Sequence, residues 1–557
     1  MMKTVAFKKQ KRKIGRKIQI VLAIIFFFNM ILSCTSADFQ TEMEKKQTVI
    51  LQEYFLESVK GKTLYFVKVN PSPAAIKAEN VSYITDFSGM KAQAAAIPIP
   101  AADGRNFGSS TARVPMIIAN SVKPVKQKAI QNSQNTENLE KKLEIGKSKK
   151  QIFIDCDSSL SAYKIAQATL RAVGAECLVW VVDGNFQGDG CEKIAENAKI
   201  SQETVDFLSQ KFDEICPKIR AIFGRESDEI YARYSEKSRW EKSPIITDSR
   251  VNIVVYDIGS DFPSDGVLGY FHSRDYFASE KHLAEQGFFY KSPSLSASNE
   301  GKFIYLDAFS AQSKPVAAAS TLAHEFAHMV SYGEKTMKRG IKTSAEYEEM
   351  MAMLAEDALQ SALGVPNSES PEARLPFFAA RYAEIGLEYR ESTDGYFDIL
   401  SYASNFSFGA WLARNFGGAA LISKMAKSAL SGFDCALSAV NELNGENYSA
   451  RDLLLLYAKS CTIKSASFSH NRALSGDYPF RAIDLWNLGA DLEENSEYVR
   501  QGYYSYTGCT LFAPSARLEL RPYGMSLSKV GKIESDDAFV TIITGGKSDE
   551  VWQLLVE

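Results

Sequence analysis

Residues 317–330 form an almost unbroken apolar run that nevertheless holds two histidines and a glutamate, His324-Glu325-Phe326-Ala327-His328. On a helix, Leu322, Phe326, Met329 and Val330 point in different directions, so this helix is apolar on nearly every side and belongs in an interior. Burying two imidazoles and a carboxylate there is costly unless each finds a partner. Residues four apart share a helix face, so both imidazoles can bind one Zn²⁺ ion. Glu325, beside the first ligand, is placed to take a proton from metal-activated water. The bland alternative is that the three side chains bond to backbone and solvent at a helix end. With only five histidines in 557 residues, about 0.003 accidental matches to this spacing are expected, so the motif is specific.

A catalytic zinc site needs a third protein ligand and an open fourth position. In metzincins a glycine and a histidine follow at fixed spacing; Ser331 and Glu334 occupy those positions here and exclude that class. The remaining route is a carboxylate from a following helix, as in gluzincins. Residues 348–359, Glu-Glu-Met-Met-Ala-Met-Leu-Ala-Glu-Asp-Ala-Leu, supply that helix. Glu349 and Glu356 are seven apart and share a face, while Leu354, Ala358 and Leu359 hold the helix to the core. The candidates are Glu356, Glu349, Glu348, Asp357 and a remote histidine.

Met353-Leu354-Ala355-Glu356-Asp357-Ala358-Leu359 resembles a degenerate form of the gluzincin W-L-N-E-G-L-A segment, as found in the hyicolysin-type metallopeptidase family. Gly269-Tyr270-Phe271, Phe303-Ile304-Tyr305-Leu306-Asp307 and Thr321-Leu322-Ala323 echo the same family upstream. Downstream, Tyr402-Ala403-Ser404-Asn405-Phe406-Ser407-Phe408 and Asn415-Phe416-Gly417-Gly418 resemble its tyrosine-led, glycine-terminated helix. The likeness covers residues 150–435, with a weaker echo at Pro522-Tyr523-Gly524. It implies an α+β, zincin-like (gluzincin) catalytic domain: a mixed sheet beside the active-site helix, and a mostly helical second half. It also implies Glu356 as third ligand and Tyr402 as an oxyanion donor, although the residue itself reads first as a half-buried structural aromatic at a helix start. Ala355, Asp357 and Met353 depart from the family's asparagine, glycine and tryptophan, which leaves the other acids open as ligands. The activity implied is zinc-dependent endopeptidase cleavage of a protein or peptide substrate, with Glu325 as general base. The rival is a lipid-anchored zincin-fold binding or adhesion module with weak or no activity.

The chain begins with eight basic residues and no acid before a fifteen-residue, mostly apolar stretch, residues 18–32, and then Ser33-Cys34. Length and flanks suit a signal peptide rather than a membrane span. An aliphatic residue, a small residue and cysteine resemble a bacterial lipobox, in which Cys34 carries lipid and anchors an extracytoplasmic protein to a membrane, periplasm-facing or on the cell surface. Beyond residue 33, 56 basic residues face 67 acidic ones, a net charge of −11 that argues against nucleic-acid binding.

Residues 34–90 are expected to form a small β-rich region. Residues 91–150 carry one aromatic, Phe107, and are read as a low-complexity linker whose cleavage would release a fragment beginning near Gln151. A peptidase domain at 151–480 and a separate C-terminal β domain at 487–557 complete the division. Pro217 is expected near a helix bend. Cysteines are odd in number beyond Cys34 and form no framework, with Cys177–Cys191 the one bridge suggested.

Overall fold

The computed structural model describes residues 50–92, 143–155, 162–190, 194–235, 240–245, 247–259, 267–288, 296–388, 395–464, 478, 480–490, 492, 499–544 and 550–557. Cys34, the signal segment, most of the linker, Cys156 and Cys191 lie outside them. Among the described residues no helix is long and apolar enough to cross a membrane.

The first strands are β1 (Ile50–Glu57), β2 (Thr63–Val69), β3 (Tyr83–Ser88) and β4 (Met90–Ala92). A central mixed sheet follows, from β5 (Lys149–Asp155), β6 (Tyr163–Val173), β7 (Cys177–Val182), β10 (Val251–Tyr256), β11 (Gly269–Phe271) and β12 (Phe303–Asp307). A two-stranded ribbon, β8 (Tyr231–Ala232) with β9 (Glu241–Lys242), stands apart from it. The sheet order is β11-β12-β10-β7-β6-β5. The β7, β10 and β12 strands run parallel, and the outer pairings are antiparallel. β7 reads Cys-Leu-Val-Trp-Val-Val and is buried throughout, as a strand covered on both faces must be. Val179 and Val181 face the helices; Leu178, Trp180 and Val182 face a second apolar cluster with Ile152, Ile154 and Tyr305.

The helices are α1 (Gln202–Phe223), α2 (Glu280–Glu285), α3 (Ala308–Ser313), α4 (Pro315–Ser331), α5 (Ala345–Leu363), α6 (Leu375–Arg381), α7 (Gly395–Phe416), α8 (Gly418–Lys427), α9 (Gly432–Asn444) and α10 (Ala450–Thr462). The expected α+β class and mixed sheet are present. Two local expectations change. α1 continues through Pro217 for 22 residues, because one missing backbone bond is outweighed by a buried face of Val205, Leu208, Phe212, Ile215 and Ile219. The apolar pattern of residues 371–387 predicts one helix, but the chain there divides into a 3₁₀ turn, Pro371–Arg374, and the short α6.

The ends of the chain depart most from expectation. They do not form two separate β pieces: β13 (Met525–Ile533), β14 (Asp537–Thr544) and β15 (Val551–Val556) pair with the first four strands. One sheet runs β1-β14-β3 and the other β15-β2-β13-β4, so β2 lies between two C-terminal strands. Trp552 packs its ring 5.3 Å from Tyr54 and 5.7 Å from Phe66. Val67, Val69, Leu527 and Leu555 join the main core, where β2 rests on α10. A cut in the linker therefore leaves two pieces held by shared sheets, not a free fragment. Cys177 is a buried thiol 3.5 Å from the Ser209 hydroxyl, while Cys191, its suggested partner, lies outside the described residues.

Candidate metal centre

α4 starts with Pro315 at its first turn, where a missing N–H costs nothing. It packs between α1 and α5 and against β11 and β12. Every residue from Ala318 to Ser331 is buried, as its all-round apolar surface requires. That burial carries His324 and Glu325 to 0% exposure and His328 to 5%. The two imidazole rings lie 4.7 Å apart, edge to face.

α5 begins with the Ser344 side chain capping the Tyr347 N–H and ends at Gly364 in the left-handed conformation. It brings three carboxylates to the histidine pair. Glu349 sits at the ring nitrogens that point away from α4: its Oε2 is 3.1 Å from His324 Nε2 and its Oε1 3.8 Å from His328 Nε2. Glu356 lies on the other side of the first imidazole, with Oε1 2.7 Å from His324 Nδ1. Its second oxygen accepts from the Ser320 hydroxyl at 2.9 Å. Glu348 accepts from the Ser331 hydroxyl at 2.9 Å and stands 3.7 Å from His328 Nδ1.

The donor atoms that converge, all within 4.8 Å of one another, belong to His324, His328 and Glu349. Glu356, which the family likeness pointed to, is not in that group. Its Oε1 is taken by His324 Nδ1 and its Oε2 by the Ser320 hydroxyl. Asp357 faces away, in a bidentate pair with Arg414 at 2.7 and 2.9 Å. Among the described histidines outside the pair, His272 Nδ1 accepts from the Arg274 N–H and His282 bonds Gln286.

The arrangement fits a divalent metal ion. His324 Nε2, His328 Nε2 and both oxygens of Glu325 and Glu349 are buried without a hydrogen bond, although buried polar atoms are normally satisfied. Ligands held tetrahedrally at about 2.0–2.2 Å lie roughly 3.3–3.5 Å from one another, and the two carboxylate-to-imidazole distances straddle that spacing. The charge balance also calls for a cation. Burial alone would lower the His324 pKa, but Glu349 and Glu356 outweigh it and push it up to about 10. A proton at that site stands where a metal's positive charge is favoured. Burial pushes Glu325 up to about 7, against the opposing pull of His324 and His328.

Tyr402 enters from α7, which packs along α5. Burial raises its hydroxyl pKa well above the ordinary value, and the Glu349 and Glu325 carboxylates raise it further. The structure thus brings His324, His328, Glu325 and Tyr402 together and adds Glu349. The signal for Glu349 was its place seven residues before Glu356, on the same face; periodicity could not choose between them.

The sequence profile of the family described as Peptidase M30 matches residues 160–489, which include every residue of this site. The neutral metalloprotease ShpI of Staphylococcus hyicus is 31% identical over 178 residues, covering 31% of this chain and 31% of that protein. The chain therefore aligns with less than a third of that relative's length.

Proposed function

The chain belongs to the peptidase M30 family, and from that premise we propose that it is a zinc-dependent endopeptidase in which His324, His328 and Glu349 hold the metal. The convergence of both Nε2 atoms on one carboxylate carries this reading. When bound there, zinc would polarise the scissile carbonyl and lower the pKa of water. Glu325 accepts the proton of the attacking water and passes it to the leaving amine. The Tyr402 hydroxyl stays protonated and donates to the oxyanion that forms on the former carbonyl. Glu356 fixes the first imidazole by accepting from Nδ1, which leaves Nε2 free for the metal. No covalent intermediate is needed.

Metal analysis of two purified variants tests the ligand set. Glu349→Ala should lose zinc on dialysis. Glu356→Ala should keep it with affinity weakened by about 10–100-fold, the usual effect of removing a ligand's hydrogen-bond partner. The opposite order would return Glu356 to the ligand position.

We further propose that the protein lies outside the cytoplasm on a lipid anchor at Cys34, a reading supported by the basic, apolar and cysteine order of residues 1–34. Cys34→Ser should abolish labelling by a fatty-acid analogue; labelling that persists would remove the anchor.

A further inference from the structure

Four arginines are buried among the described residues: Arg274, Arg374, Arg381 and Arg414. Three of them meet an acid. Arg274 pairs with Asp155 at 2.9 Å, Arg381 with Glu384 at 2.5 Å and Arg414 with Asp357 at 2.7 Å. This is what burial of a guanidinium demands, since an unpaired buried charge is strongly destabilising. Arg374 is the exception. It is 9% exposed, and its Nε is buried without a hydrogen bond. Among the described residues no carboxylate pairs with it; its neighbour is the Tyr402 ring, 5.9 Å from the guanidinium carbon to the ring centroid.

Its position gives the unpaired charge a direction. Arg374 closes the 3₁₀ turn Pro371–Arg374, which packs against both α5 and α7. Those helices carry Glu349 and Tyr402, and the Arg374 charge is felt at the Tyr402 hydroxyl together with those of Glu349 and Glu325. An extended peptide advances roughly 3.3–3.6 Å per residue, so the guanidinium lies within one or two residues of a bond cleaved beside Tyr402.

We propose that Arg374 is a specificity-determining residue that binds a substrate carboxylate close to the scissile bond, in the way the other three buried arginines bind carboxylates of the chain. The inference rests on the peptidase reading above. A carboxylate offsets the buried charge and accepts from the planar guanidinium at two points. It comes from an acidic side chain or from the free C-terminus of a peptide.

The test uses the full-length, zinc-loaded protein and quenched peptides of one sequence. In one series a single Glu replaces Gln at each of the two positions on either side of the cut. In the other, the C-terminus is free or amidated at the same distances. The wild type should favour the carboxylate-bearing member of one series by about 10–100-fold in kcat/KM, which identifies the source. Arg374→Met should abolish that preference, chiefly through KM, while the neutral peptides stay within about threefold of wild type. Arg374→Lys, which keeps the charge but not the fork, should retain part of the preference and serves where the methionine variant does not fold. Equal loss on charged and neutral peptides in the folded variants would make Arg374 a support for Tyr402 and overturn the proposal. Equal cleavage of all peptides by the wild type would overturn it while leaving the peptidase reading intact. Failure to cleave either series would sink both.

Discussion

The metal centre and the β unit are both buried and both assembled from separate elements, yet one is local and the other is not. Every residue proposed to hold the metal lies between His324 and Glu349, and the three acids paired with the histidines come from the single helix α5. The β unit instead joins residues 50–92 to residues 525–556, with Leu56 opposite Ala538 and Val67 opposite Leu527. A local site is written in helix periodicity. A sheet that closes the two ends of a chain is written only in the complementarity of strands far apart in sequence.

That difference yields tests on both sides. The largest effect should follow His324→Ala, which removes a ligand: zinc and peptidase activity are expected to disappear together, as elemental analysis and a casein assay would show. Zinc retained at wild-type occupancy would mean the metal lies elsewhere.

Next, Asp357→Ala should cost about 3–5 kcal/mol of stability by leaving Arg414 buried without its acid, although Glu372 stands 3.8 Å from that arginine and will soften the loss. Denaturant unfolding would measure the loss, and zinc per folded chain should not change. A variant that instead loses metal would place Asp357 in the site after all.

In the β unit, Phe66→Ala removes a fully buried ring from between the two chain ends and should cost about 3–5 kcal/mol. Zinc content and the relative rates on different peptides should stay as they are. A changed peptide preference would show that the β unit reaches the substrate. The smallest effect is expected from a protease site inserted in the linker: after the cut, both pieces should elute together under native conditions and separate only in denaturant. Separation without denaturant would contradict the shared sheets.

The same contrast accounts for what could be read in advance. The helix expected at residues 348–359 extends to Ala345–Leu363, where Ser344 and Gly364 bracket an apolar period. β7, β10 and β12 are legible in the sequence as short runs of β-branched and aromatic residues. β6 was missed: Tyr-Lys-Ile-Ala-Gln-Ala-Thr-Leu-Arg-Ala-Val carries alanines and polar residues along its exposed first half, and sheet position rather than propensity makes it a strand. The pairing of Glu349 rather than Glu356 with the two Nε2 atoms was not legible. The two acids sit about 10 Å apart along one face, and only the offset at which α5 crosses α4 decides which one meets them. Arg374 left no trace at all, since an arginine after a proline turn reads as surface.

The most direct test of the account is the Glu325→Gln variant, assayed for zinc and for peptidase rate in the same preparation. Glutamine keeps the size and helical preference of the side chain and removes only its capacity to hold a proton. The account predicts about one zinc per chain, held by His324, His328 and Glu349, and a rate lower by a factor on the order of 10²–10⁴. A zinc-loaded Glu325→Gln protein that cleaves peptides at the wild-type rate would contradict it.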